Sequence, residues 1–270
     1  MIDKDHEGQS SPIIIIGSPR SGTSILIKAI KAALGVSGYA EGHFLPLIMM
    51  VMKAVEDYYG QRKELTNRKS RAVSHIDRDN LEEDILALFR KQYESIMPSD
   101  TWIDKTPGVA MIQASPYILR TWPKSRFIFA KRRGIECIAS RLRKFPDVPF
   151  EKHCHLWKSS METWLDVRDS LKSCYVEIEQ REISLQPVSV AEKLGKFLDL
   201  DSNQVEKLQH IFLTERPQFT GSVEEDKAIS ISETGWTDEQ IKIFRKYCGV
   251  VSEKYGYSES SSYHISNIIN

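Results

Sequence analysis

Residues 12–34 read PIIIIGSPRSGTSILIKAIKAAL, and this stretch decides the fold. Pro12 to Ile16 is a short, wholly apolar, β-branched run bounded by proline and glycine, the pattern of a central strand buried on both faces. From Thr23 to Leu34 the apolar residues Ile25, Leu26, Ala29, Ile30, Ala33 and Leu34 recur at helical spacing, and Gly35 stands where it can end the helix. Between strand and helix lies Gly17-Ser18-Pro19-Arg20-Ser21-Gly22-Thr23-Ser24. Such a loop aims several backbone N–H groups and a helix N-terminus at one anion. Arg20 adds a full positive charge, and Ser21, Thr23 and Ser24 add hydroxyl donors. A polar turn merely capped by Ser21 would need neither the arginine nor the second glycine. The segment predicts phosphate-type binding.

Working outward, further helices are expected over residues 45–58, 80–93, 135–144, 188–198, 203–213 and 238–254, and strands at Trp102-Ile103, Phe127–Ala130 and Tyr175–Ile178. Strands alternating with helices imply an α/β fold with a parallel sheet covered on both faces. No Ser/Gly/Pro tract, charge block or repeat interrupts the 270 residues, so one domain spanning 1–270 is expected.

Composition narrows the function classes. Hydrophobic residues at 41% and charged residues at 27% are ordinary for a folded chain, which argues against disorder. Thirty-seven basic residues balance 37 acidic ones, so there is no global field for nucleic acid or membrane, and any anion site must be local. Cys137, Cys154, Cys174 and Cys248 form no C-x-x-C pair, which favours reduced thiols over zinc ligands or a disulfide framework. The polar, acidic residues 1–8 do not suit a secretory signal, and the longest apolar stretch, Phe44 to Met52, is too short to span a bilayer. A cytoplasmic enzyme is expected, with no metal, no nucleic-acid partner and no membrane partner.

The loop has the spacing of the NTPase element G-x-x-x-x-G-K-S/T, with Gly17 and Gly22 as its glycines, but Thr23 stands in the lysine position and the cation has moved to Arg20. A strand ending in P-R/K-S-G-S/T-S/T resembles instead the 5′-phosphosulfate loop of sulfotransferases that use 3′-phosphoadenosine 5′-phosphosulfate (PAPS). The arginine form is similar to tyrosylprotein sulfotransferases and many bacterial small-molecule enzymes. Three more segments match in the family's order, so the resemblance covers roughly residues 12–200. It implies the P-loop, nucleotide-kinase-like fold, a parallel sheet flanked by helices. Pro19, Arg20, Ser21, Gly22, Thr23 and Ser24 would then bind the cofactor, and Arg20 would also act catalytically by stabilising charge on the transferring group.

Arg132-Arg133-Gly134 through Ser140 is similar to the family's R-D/N/E-P/G element, whose arginine and a serine eight residues later hold the 3′-phosphate. The resemblance assigns that role to Arg132 and Ser140. Arg133 replaces the usual acidic residue and leaves open which arginine binds. Glu41, twenty-one residues after Arg20, matches the glutamate that serves tyrosylprotein sulfotransferases as general base, and Pro46 matches the proline that follows it. His43 is the second candidate base, since its ordinary pKa lies near neutrality. Trp102-Ile103-Asp104-Lys105-Thr106-Pro107 is similar to a D-K-T-P element, in which Lys105 would stabilise the leaving oxygen; the plain alternative is a surface Asp104–Lys105 ion pair.

Beyond this the pattern thins. Glu179-Gln180 with Pro187 resembles a Y-E-x-L…P stretch, with Ile178 in the tyrosine's place. Ser232 to Trp236 resembles a loop that closes over the nucleotide, with Gly235 where some relatives carry lysine. Trp157 and Trp164 share one helix face and read as core. The resemblance thus implies transfer of a sulfuryl group from PAPS to a hydroxyl or amine of a small acceptor, a natural product or other metabolite. A small-molecule kinase and an inactive nucleotide-binding module are the other readings of the loop.

Overall fold

The computed structural model describes residues 10–215, 228–261 and 263. Five parallel strands form one sheet: β1 (Ile13–Gly17), β2 (Ser37–Tyr39), β3 (Trp102–Lys105), β4 (Arg126–Lys131) and β5 (Tyr175–Glu179), in the spatial order β2-β3-β1-β4-β5. The expected first strand is the centre of this sheet, paired with β3 from Ile13 to Ile15 and with β4 from Ile13 to Gly17. Its residues alternate in direction, as a strand's must. Ile14 and Ile16 enter one core half with Trp102, Phe127 and Phe129, while Ile13 and Ile15 enter the other with Ile103, Ile128 and Ile178. Burial on both faces is why the run carries no polar residue.

Eleven α-helices are described among these residues: α1 (Thr23–Leu34), α2 (Pro46–Gln61), α3 (Lys63–Thr66), α4 (Arg78–Glu94), α5 (Val109–Thr121), α6 (Gly134–Lys144), α7 (Phe150–Val167), α8 (Gln180–Leu185), α9 (Pro187–Leu198), α10 (Ser202–Thr214) and α11 (Asp238–Lys254). Helices α2, α4, α5, α6, α7 and α11 supply the core on the Ile14 face; α1, α8, α9 and α10 supply it on the Ile13 face. This is the α/β sheet covered on both faces that the sequence predicts. The helix expected at Thr23–Leu34 forms with those limits, and Gly35 ends it at φ 66°.

Trp157 and Trp164 are fully buried on α7, as their spacing predicts, and Trp164 stacks on Phe129 with ring centroids 4.3 Å apart. The elements without a clear sequence signal include three short or interrupted ones. Strand β2 is three residues at the sheet edge; α8 is a short turn of helix after β5; α5 contains Pro116 in its interior. Proline cannot donate to the carbonyl of Ile112 four residues back. The hydroxyl of Ser115 donates to that oxygen at 2.7 Å instead, so the helix continues.

Candidate active site

Strand order puts a topological switch at β1. The chain builds β2 and β3 on one side of it and then crosses to β4 and β5 on the other, and ligands of open parallel sheets bind beyond the carboxyl ends at such a point. The loop 17–22 leaves the end of β1, Lys105 ends β3, Lys131 ends β4, and Glu41 follows β2. The backbone N–H of Gly108, past β3, donates to Gly17 O at 2.8 Å and ties two of these ends together.

The loop's geometry explains its glycines. Gly17 has φ 148°, and a Cβ there would lie 2.2 Å from Ala130 O on the adjacent strand. Gly22 has φ 89° and is the N-cap of α1, with no side-chain hydrogen bond capping the helix. The first N–H groups of α1 therefore have no side-chain cap, an arrangement open to an anion. Ser21 does not cap the helix. Its buried Oγ lies 2.5 Å from Ser18 O and 2.8 Å from Ala130 O, which pins the loop to β4. Thr23 is buried in the first turn of α1 and Ser24 is exposed at its rim. Pro19 O faces Cys137 Sγ at 3.2 Å.

Arg20, at φ 79°, turns its side chain toward α6, where its Nε donates to Ser140 Oγ at 3.0 Å. Arg132 Nη1 donates to Arg20 O at 3.1 Å. Arg20 thus meets two residues more than a hundred positions away in sequence. Arg132 Nε is buried without a partner, and no carboxylate lies within ion-pair distance of Arg132 among the described residues. Burial pushes the Arg132, Arg141 and Arg143 guanidinium groups down from their ordinary range, and the charge on Arg20 adds to that push in each. Glu136 and Glu179 oppose the push on Arg132 without forming an ion pair with it, and such a convergence of cations suits a multiply charged anion.

The adjacent Arg133 faces elsewhere. It is 2% exposed, pairs with both oxygens of Glu136, and donates to the carbonyls of Ile229, Ser258 and Ser260. Of the two arginines, only Arg132 is directed at the loop. Arg133 fastens the chain's C-terminal segment to α6. Ile231 N–H donates to Glu259 O in the same segment, and Trp236 packs against Phe150 and Phe244. The stretch Ser232–Trp236 is therefore fixed beside α6 and α7, with Gly235 at φ 71°.

On the other side of β1, Lys105 Nζ donates to Glu41 Oε1 at 3.0 Å, and His43 Nε2 lies 3.4 Å from Glu41 Oε2. The side chain of Lys105 is 4% exposed and that of Glu41 56%, so the lysine reaches outward from the sheet to a carboxylate at the surface. The hydrogen bond from Lys105 holds the Glu41 carboxyl below its ordinary value, with partial burial opposing. Asp104 points to the opposite face of β3, is fully buried, and accepts from Tyr93 Oη at 2.5 Å and Thr106 Oγ1 at 2.9 Å. Burial raises its pKa. Asp104 and Lys105 are thus not a surface ion pair: both are buried, and they serve different partners.

Thr106 Oγ1 also accepts the backbone N–H of His43 at 3.2 Å, and a Cβ on Gly42 would lie 2.0 Å from Asp104 Oδ2. The loop 41–43 is thereby seated on β3, with His43 itself at φ 53°. Tyr93 and Thr106 are site-building residues that the sequence did not single out. Thr106 lies inside the D-K-T-P element, whereas Tyr93 carries no local signal. A cavity of about 820 Å³ lined by Ser11, Leu34, Lys124 and Phe197 lies away from all these groups, at the amino ends of the strands.

With this geometry in view, the comparisons fall on one answer. The family model described as "Sulfotransferase family" matches residues 12–204. No curated protein matches the sequence. The sulfotransferase domain of the Synechococcus PCC 7002 olefin synthase superposes with a TM-score of 0.56 at 19% identity, covering 94% of this chain and 97% of that one. Mouse sulfotransferase SULT7A1, solved in complex with PAP, gives 0.55 at 12% identity, with 93% and 89% covered. The sulfotransferase domain of the curacin biosynthetic pathway gives 0.52 at 16%, with 93% and 99% covered. At these identities the structural likenesses establish the fold.

Proposed function

The chain belongs to the sulfotransferase family, and from that premise we propose that it transfers a sulfuryl group from PAPS to a hydroxyl or amine of a small acceptor, a natural product or other metabolite. The observation that carries the choice of donor is the convergence of Arg20, Arg132 and Ser140, with the Arg132 Nε buried and unpartnered. When bound, PAPS supplies the sulfuryl group and a phosphorylated leaving group. Arg132 and Ser140 hold the 3′-phosphate. Arg20, Ser24 and the first N–H groups of α1 hold the 5′ end, and Ser21 keeps that loop in place through its bonds to backbone carbonyls.

Glu41 takes the acceptor's proton on a carboxylate oxygen, and Lys105 supplies positive charge where the leaving oxygen gathers electrons. Their ion pair sets an order. While Lys105 donates to Glu41 the carboxylate is a weak base; once Lys105 is drawn to an anion, Glu41 recovers its basicity beside the acceptor. By analogy with phosphoryl transfer, positioning and fixed charge carry the rate. The biosynthetic systems named for two structural neighbours support a metabolite as acceptor. The cytoplasmic address and single-domain organisation expected from the sequence belong to the same proposal. A small-molecule kinase would need a lysine where Thr23 is buried in the first turn of α1.

The test is a thermal melt with 3′-phosphoadenosine 5′-phosphate against ADP, which lacks the 3′-phosphate. The former should raise the melting temperature much more. Equal shifts would remove the 3′-phosphate assignment, and turnover of labelled PAPS with candidate acceptors then tests the transfer itself.

A further inference from the structure

Helix α2 is apolar around most of its circumference. Leu45, Ile48 and Met52 form its buried stripe against α4 and α5. On the opposite side Leu47, Met50, Ala54 and Tyr58 recur at i, i+3, i+7 and i+11, with Leu47, Met50 and Tyr58 each between 42% and 56% exposed. This second stripe runs about 16 Å along the helix at 1.5 Å per residue. Lys53, Asp57 and Gln61 are exposed beside this stripe, which polar residues border without replacing.

At its C-terminal end the stripe meets a run of cations. Arg62 lies over the ring of Tyr58 at 4.0 Å, and the chain then folds back, with Tyr59 Oη donating to Ile76 O at 3.0 Å. Residues 62–71 carry Arg62, Lys63, Arg68, Lys69 and Arg71 against a single acid, Glu64. None of the five is ion-paired among the described residues. The chain's zero net charge therefore conceals a local segregation.

We propose that the outer face of α2, with the basic segment 62–71, docks on the surface of an anionic lipid bilayer. The combination is that of an interfacial helix: an apolar face, an aromatic at its boundary, and flanking arginine and lysine for lipid phosphates. At 16 residues α2 is too short to span a bilayer, and among the described residues no helix is long and apolar enough to cross one. Protein interfaces are depleted of lysine at their cores, and a convex single-helix face offers a protein partner no groove, so a flat, negatively charged surface is the better match. The docking stands independently of sulfuryl transfer, since either can fail alone.

The full chain is sedimented with phosphatidylcholine vesicles and with vesicles containing about a third phosphatidylglycerol. Binding to the anionic vesicles only, and its loss near ~0.5 M salt, is the expected result. Met50→Glu should abolish it, and the pair Arg68→Ser with Lys69→Ser should weaken it ~30-fold, from about 1 kcal/mol per basic residue near the surface. All three positions are exposed, and circular dichroism with the nucleotide melt checks that the variants fold. Failure to bind anionic vesicles at low salt overturns the proposal. That includes the cases in which the face instead holds a second copy, seen as a dimer that Met50→Glu dissociates, or an acidic protein, seen as salt-sensitive retention on immobilised polyglutamate.

Discussion

Among single residues, Glu41 shows most clearly how neighbours set chemistry. Its carboxylate is exposed enough to meet an acceptor, yet Lys105 and His43 both lean on it. If Glu41 is the base, Glu41→Gln should lower turnover about a hundredfold while the nucleotide melt is unchanged, because general-base catalysis is typically worth that much. His43→Ala should cost less, since the imidazole then acts through the carboxylate. The reverse ranking would make His43 the base. The pH profile gives a second reading. The base must be deprotonated, so kcat/KM rises with pH through the pKa of the free enzyme's Glu41, which Lys105 holds below the ordinary carboxylate value. The chain order of Arg20, Glu41, Lys105 and Arg132 made these residues legible in the sequence. Their pairing was not: nothing in Asp104-Lys105 says that one side chain faces Tyr93 and the other Glu41. Nor do two adjacent arginines say which will be taken by a distant carbonyl of the C-terminal segment.

Secondary-structure elements were legible where burial is two-sided or the helical period unbroken. The run Ile13–Ile16 and the stripe of α1 carry their own evidence, whereas Ser37-Gly38-Tyr39 becomes a strand only because β3 offers it an edge. Helix α5 is the instructive case, because Pro116 reads locally as a helix breaker. The helix survives since it packs against α2 and α7 and since Ser115 answers the carbonyl that Pro116 cannot. Ser115→Ala should therefore cost about 1–3 kcal/mol in urea unfolding, the penalty for an unsatisfied buried acceptor. In a Pro116→Ala background the restored N–H reaches Ile112 O, and the same substitution should cost little. A double-mutant cycle with equal costs in both backgrounds would show that the hydroxyl has no such role.

Taken whole, the molecule is closed by its own C-terminal segment, and the buried carboxyl of Glu179 sits at that closure. Glu179 ends β5, is 1% exposed, and accepts from Tyr257 Oη at 2.6 Å, a residue that follows α11. Tyr257 in turn packs near Trp157, whose indole donates to Arg132 O, so the segment reaches the strand end that carries the candidate phosphate arginine. Burial raises the Glu179 pKa from 4.5 to about 8; the Tyr257 hydrogen bond and Lys131 only partly oppose it. A group whose folded pKa is raised binds its proton more tightly in the native state, so the sign of the linkage is fixed. Below about pH 4.5 both states are protonated and Glu179 contributes no pH dependence. Between about 4.5 and 8 the unfolded chain has lost the proton that the native state keeps, and stability falls as pH rises, by at most ~1.4 kcal/mol per unit. Above about 8 both states are ionised and the loss is complete. Glu179→Gln keeps an acceptor for Tyr257 but cannot ionise. Wild type and variant should therefore melt together below about pH 4.5, and the variant should become progressively the more stable up to about pH 8, reaching a few kcal/mol. Melting curves that stay parallel across that range would mean that Glu179 is ionised in the native protein at neutral pH and that its burial is compensated by Lys131 after all.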